Sequence, residues 1–263
     1  MILHTIEAGQ GPPVALLHGL FGSARNLGVV QRALAPRFRV LALDLRNHGA
    51  SPHAAAMDYQ AMAADVLETL DQRAALPAAL VGHSMGGKAA MMAALLQPAQ
   101  VERLVVADIA PVAYEHHNAA IVATLAGLRL APGLTRAAAD AALAEAVPDA
   151  GLRAFLLQNL VPGAHPGWRI GLREIAAAMR VIEGWDTPPD VRYCGPVLFI
   201  AGAESDYVLP EHRPAIRALF PAARFVTLKH AGHWLHADNP AGFVAVLEAF
   251  LQAHAKGPSQ HTR

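Results

Sequence analysis

Ala79-Leu80-Val81-Gly82-His83-Ser84-Met85-Gly86, running on into Gly87-Lys88-Ala89-Ala90-Met91, decides the architecture of this chain. The three leading residues are apolar without alternation, the pattern of a strand covered on both faces. A helical run from Lys88 to Leu96 follows. Between them a five-residue Gly-x-Ser-x-Gly turn must reverse the backbone sharply. Side chains at Gly82 and Gly86 would collide with the crowded main chain, and Ser84 at the apex is expected in a strained φ/ψ region. The helix that starts there directs its positive end toward the serine, which favours developing negative charge.

Outward from this turn, similar short apolar runs recur at Val14–Leu17, Arg39–Leu43, Leu104–Ala107, Val197–Ala201 and Arg224–Leu228. Helical spacing lies between them at Asn26–Leu34, Tyr59–Leu70, Pro210–Leu219 and Ala241–Leu251. Strand alternating with helix predicts an α/β fold with a mostly parallel central sheet and helices on both faces. The alternation breaks once, after Pro111. Alanine-rich helical stretches at 118–128, 135–147, 152–160 and 172–182 follow without a convincing strand, far more chain than the ~10–12 residues a crossover needs. The expected organisation is a core of residues 1–111 and 190–255, an inserted helical cap of 112–189, and a disordered polar tail at 256–263.

Composition narrows the function classes. The 263 residues are 54% apolar and 16% charged, with 21 basic residues balanced by 21 acidic ones. Without a basic face, neither nucleic acid nor an anionic membrane is the expected partner, and a small molecule fits better. The first residues, Met1 to Gly9, lack the basic and apolar regions of a secretory signal, and no stretch approaches the ~20 apolar residues of a spanning helix. A cytoplasmic protein is expected. The one cysteine, Cys194, has no partner for an internal disulfide and is expected to be a small buried apolar residue. No HExxH, cysteine cluster or GxGxxG in the first βα unit is present, so no metal or organic cofactor is implied. Nothing in the sequence reads out an oligomeric state.

The chemistry starts at Ser84, placed as a nucleophile by its strand–turn–helix context. His18-Gly19-Leu20-Phe21-Gly22 closes an earlier strand and would bring the Leu20 amide opposite that of Met85, two donors for an oxyanion. A general base is expected late in the chain. Of 14 histidines, His233 stands out because Ala231-Gly232-His233-Trp234 follows the last strand run and Gly232 lets the loop turn back. Two acids compete. Asp206 follows the Gly202-Ala203-Glu204-Ser205 turn one place later than the spacing usual for such an acid. Asp108 ends the strand after the nucleophile's helix, and either can orient an imidazole, since that role is geometric and electrostatic. Phe21, Tyr207, Trp234 and Met85 are candidates to line a substrate pocket. Asp44 to Ser51 reads as a hydrogen-bonded turn positioning neighbouring loops, and Lys88 as a structural or surface residue.

Five segments, HGLFGSARNL (18–27), DLRNHGASPH (44–53), GHSMGGKAAM (82–91), VADIAPVAYEHH (106–117) and AGHWLHADNP (231–240), resemble the α/β-hydrolase superfamily and, within it, the small YbfF-type esterases. The likeness covers both halves of the core and is loose over the cap. It implies an α/β-hydrolase fold and hydrolysis of short to medium acyl esters or thioesters through a Ser-His-Asp triad. It also implies an acid at the Asp108 position, with Ser205 joining the hydrogen-bond network. Asp206 beside Ser205 is a departure from the subgroup, so the choice of acid stays open on sequence. Alternatives on the same residues are C–C bond hydrolysis, perhydrolysis or lactone opening, or a non-catalytic fold that binds a small ligand.

Overall fold

The computed structural model describes residues 1–114 and 118–253. The tail expected to be disordered, 256–263, and Glu115-His116-His117 of the fourth segment lie outside the described residues. In chain order the elements are β1 (Thr5–Ala8), β2 (Pro13–Leu17), α1 (Gly28–Leu34), β3 (Arg39–Leu43), α2 (Tyr59–Gln72), β4 (Ala78–His83), α3 (Met85–Leu96) and β5 (Val101–Ala107). They continue as α4 (Asn118–Gly127), α5 (Arg136–Leu143), α6 (Ala150–Leu157), β6 (Leu160–Val161), β7 (Gly167–Trp168) and α7 (Leu172–Glu183). The chain closes with β8 (Val197–Gly202), α8 (Arg213–Leu219), β9 (Ala223–Leu228), α9 (Leu235–Asp238) and α10 (Pro240–Gln252).

Seven strands form one sheet in the order β1-β3-β2-β4-β5-β8-β9. Every pair is parallel except β1 with β3. The apolar runs mark β2, β3, β4, β5 and β8 because both faces are covered, whereas β9, at the sheet edge, is only partly buried. Along β2, Ala15 and Leu17 enter one core with Met62, Val66 and Ala90 of α2 and α3. Val14 and Leu16 enter the other, with Val30 and Leu34 of α1 and Phe243 and Leu247 of α10. β4 and β5 lie at the centre, so the turns at their carboxyl ends open side by side.

Three local readings change. β1 escaped the apolar-run pattern because Thr5-Ile6-Glu7-Ala8 is a half-exposed antiparallel edge. The stretch read as purely helical also holds the β6–β7 pair; two-residue strands are too short to show a period. Cys194 is exposed rather than buried, in the connection leading into β8. Among the described residues no helix is long and apolar enough to cross a membrane.

Candidate active site

The β4–α3 turn holds Ser84 at φ 53°, ψ −121°. The glycines around it are sterically required. A Cβ on Gly82 would fall 2.2 Å from the Gly86 carbonyl oxygen, and one on Gly86 would fall 2.5 Å from the Leu17 and His18 carbonyl oxygens. Both obstacles are main chain and cannot swing aside. The Ser84 amide donates to the Ala107 carbonyl at 3.0 Å, which ties the turn to the end of β5.

One residue beyond that carbonyl, Asp108 stands at φ 52° with no exposed surface. Its carboxylate is held from three directions. Oδ1 accepts from the Gly202 amide at 2.9 Å, Oδ2 accepts from His233 Nδ1 at 2.8 Å, and the Ser205 hydroxyl donates to the same Oδ2. His233 Nε2 faces Ser84 Oγ at 3.1 Å. The structure therefore brings Ser84, His233, Asp108 and Ser205 into one line. Asp206 is not part of it. The Ser205 amide closes the turn onto the Gly202 carbonyl at 3.2 Å, which aims Ser205 inward and leaves Asp206 exposed.

The loop after β2 is braced by two buried histidines. Phe21, at φ 62°, donates its amide to His48 Nε2 at 3.1 Å, and the Leu45 amide donates to His18 Nε2 at 2.9 Å. Burial holds both imidazoles below their usual range, His48 at about 3. Each is neutral and carries its proton on Nδ1, which donates to the Arg46 carbonyl from His48 and to the Gly19 carbonyl from His18. Arg46 pairs with Asp65 at 2.7 Å and donates to the Ala56 and Ala61 carbonyls. The 44–51 turn is thus a brace. Leu20 and Met85 both line the cavity above Ser84, and among the described residues neither of their amides donates to the protein.

Strain clusters here. Of seven non-glycine residues at positive φ among those described, Phe21, Ser84 and Asp108 all belong to the site. Each such residue costs about 1–3 kcal/mol and persists only where its surroundings over-determine it.

The cavity has a volume of about 310 Å³, at the small end of ligand pockets. Phe21, Met85, Tyr207 and Trp234 line it, with Ile121, Leu152, Phe155 and Ile182 from the helical segment between β5 and β8. Two contacts with His233, from His83 and from the Tyr207 ring, were not apparent from the sequence, where Tyr207 reads as pocket lining and Lys88 as a structural or surface residue. His83 donates Nε2–H to the His233 carbonyl at 2.7 Å, and burial keeps it neutral. Tyr207 stacks on the His233 ring. Lys88, buried one turn beyond Ser84, donates to the Glu183 and Gly184 carbonyls at 3.1 and 2.7 Å. It ties α3 to the end of α7, and burial lowers its ammonium to about 7. Helical spacing from Ser84 placed Lys88; no spacing announced the contacts of His83 and Tyr207 with His233.

Chemically, the arrangement can move a proton from Ser84 Oγ to His233 Nε2 while Asp108 fixes Nδ1–H and faces the cation that forms. Residues 14–246 match the family model described as the alpha/beta hydrolase family. The chain belongs to that family. It is 43% identical over 251 residues to the sn-1-specific diacylglycerol lipase ABHD11 of Mus musculus, covering 91% of this chain and 81% of the relative. It is 37% identical over 240 residues to esterase YbfF of Escherichia coli (strain K12), covering 91% and 92%. Among solved structures, this α/β hydrolase superposes on a marine microorganism esterase with a TM-score of 0.92 and 35% identity, covering 95% of this chain and 99% of the other.

Proposed function

We propose that this α/β hydrolase cleaves carboxylic esters of short to medium acyl chains, thioesters included, through a serine acyl-enzyme. The observation that carries the reading is the continuous hydrogen-bonded line from Ser84 through His233 to Asp108. The esterase and lipase names of its relatives point the same way. Ser84 Oγ attacks the ester carbonyl as His233 Nε2 takes its proton. The Leu20 and Met85 amides stabilise the oxyanion, and the imidazolium returns the proton to the departing alcohol. Water then repeats the sequence on the acyl-enzyme. Asp108 is the triad acid, and Ser205 holds its Oδ2 in place.

Residues 112–189 act as an inserted cap over the core formed by 1–111 and 190–255. Their contribution of Ile121, Leu152, Phe155 and Ile182 to the cavity wall supports this division and suits an apolar acyl chain. A cavity of this size favours butyrate over long-chain esters. No cofactor enters the reaction, and the protein works in the cytoplasm.

The test is hydrolysis of p-nitrophenyl butyrate, with labelling by a fluorophosphonate that reacts with activated serines. Wild type should turn over and label, and Ser84→Ala should do neither while keeping its fold by circular dichroism. A wild type that labels but leaves every simple ester intact would replace esters by another acyl substrate. Persistent turnover in Ser84→Ala would remove Ser84 from the chemistry.

A further inference from the structure

The His233 imidazole is gripped by more than its two in-plane partners. The phenol ring of Tyr207 lies on its face, with centroids 3.8 Å apart and planes inclined by 18°. Tyr207 is fixed in turn. Its carbonyl accepts from Tyr114 Oη at 2.6 Å, and that oxygen accepts from the Ala110 amide at 2.8 Å, two residues beyond Asp108. The Tyr207 amide meets Ser205 Oγ at 3.3 Å. One short turn therefore delivers a hydroxyl to the Asp108 carboxylate and a ring to the His233 imidazole.

We propose that Tyr207 is a positioning residue for His233, and that its ring stabilises the imidazolium formed when the Ser84 proton is taken up. The inference rests on the serine-hydrolase reading above. An aromatic face carries negative potential and attracts a cation within about 6 Å, more strongly where water is scarce. Stacking approaches the imidazole from its face, so both nitrogens stay in plane for Asp108 and Ser84. The charge exists only after proton transfer, so the attraction is stronger in the transition state than in the resting enzyme. That difference is what raises a rate.

The titratable groups packed around His233 are Asp108 after β5, His83 at the end of β4, His236 in α9, and Tyr207. Tyr114 and the exposed Asp206 lie behind Tyr207. Burial keeps His83 well below its ordinary range and His236 at about 4, and it pushes the Tyr207 phenol up to about 12. Lys88, which lines the same cavity and lies over the Tyr114 ring, has its ammonium lowered by burial to about 7, so the acid limb is assigned by following the His233 ring itself by NMR.

The experiment is the pH profile of kcat/KM for p-nitrophenyl butyrate in wild type, Tyr207→Phe and Tyr207→Leu. Leucine at this position keeps an apolar side chain beside the imidazole but removes the π face together with the phenol hydroxyl, and Tyr207→Phe separates the two. Tyr207→Leu should lower kcat about tenfold with KM changed less than about twofold. Its acid limb should move to lower pH by roughly half a unit or more, because loss of the ring disfavours the charged imidazole. Tyr207→Phe should restore both. A Leu variant with lower kcat but an unmoved limb, or a Phe variant that falls as far as Leu, would overturn the proposal. An inactive wild type would count against the esterase reading alone. NMR titration of the His233 ring in the same three proteins would still decide Tyr207, with a pKa lowered in the Leu variant expected and equal values contradicting the role.

Discussion

The Ser84 turn at 82–86 and the turns at 108 and 202–207 around the Asp108 carboxylate solve different problems. At Ser84 the backbone itself is the device: the two glycines are four positions apart, and a Cβ on either would strike main chain, that of Gly86 for Gly82 and that of Leu17 and His18 for Gly86. At the acid, residues 94 to 125 positions apart in sequence meet through side chains. A main-chain steric requirement leaves a spelled-out motif. A distant meeting of side chains leaves only candidates.

That contrast predicts how each turn breaks. Gly86→Ala forces a Cβ against two carbonyl oxygens at 2.5 Å and should cost about 3 kcal/mol or more. Calorimetry would show this as a Tm lowered by roughly 6–12 °C; a loss below about 1 kcal/mol would mean the turn relaxes and local sterics do not define it. Ser205→Ala removes one charge-assisted hydrogen bond from a carboxylate that keeps the Gly202 and His233 donors. Its kcat should fall about tenfold with Tm within a few degrees. A fall comparable to loss of the acid itself would make Ser205 an equal member of the line.

A pH-dependent effect concerns Lys88, on the helix that begins at the Ser84 turn. Its folded-state pKa of about 7 lies below its ordinary 10.5. Between these values the unfolded chain holds a proton that the folded chain has released, so stability rises with pH across that window by up to about 1.4 kcal/mol per unit. Wild type should therefore gain stability relative to Lys88→Met between about pH 7 and pH 9 in urea titrations. Parallel curves would mean that the Glu183 and Gly184 carbonyls keep Lys88 charged.

The same division between local and distant governs what could be read in advance. The parallel strands inside the sheet were legible because burial on both sheet faces leaves near-continuous apolar runs, and β9 at the edge was legible from its Phe225-Val226 centre. Edge strand β1 was not, since Glu7 and Thr5 dilute it, and neither was the short β6–β7 pair. Gly232 pointed to His233, and the end of β5 pointed to Asp108, but Asp206 remained a rival because a one-residue step on a turn reverses where a side chain aims. The Ser205–Gly202 turn and the Ser205 hydroxyl's bond to Asp108 show which side chain faces inward. Cys194 misled because a short connection beside a strand carries no periodicity from which to judge burial. His83 and Tyr207 were invisible as partners of His233, since ring stacking depends on loop placement and leaves no spacing rule.

The most direct measurement is kcat/KM for p-nitrophenyl butyrate in Asp108→Asn and Asp206→Asn, side by side with wild type. Asp108→Asn would leave an amide where the His233 Nδ1–H needs a carboxylate, so a loss of about 10³–10⁴-fold is expected, against less than about twofold for the exposed Asp206. A large loss in Asp206→Asn with Asp108→Asn near wild type would contradict the assignment and place the acid on the later turn.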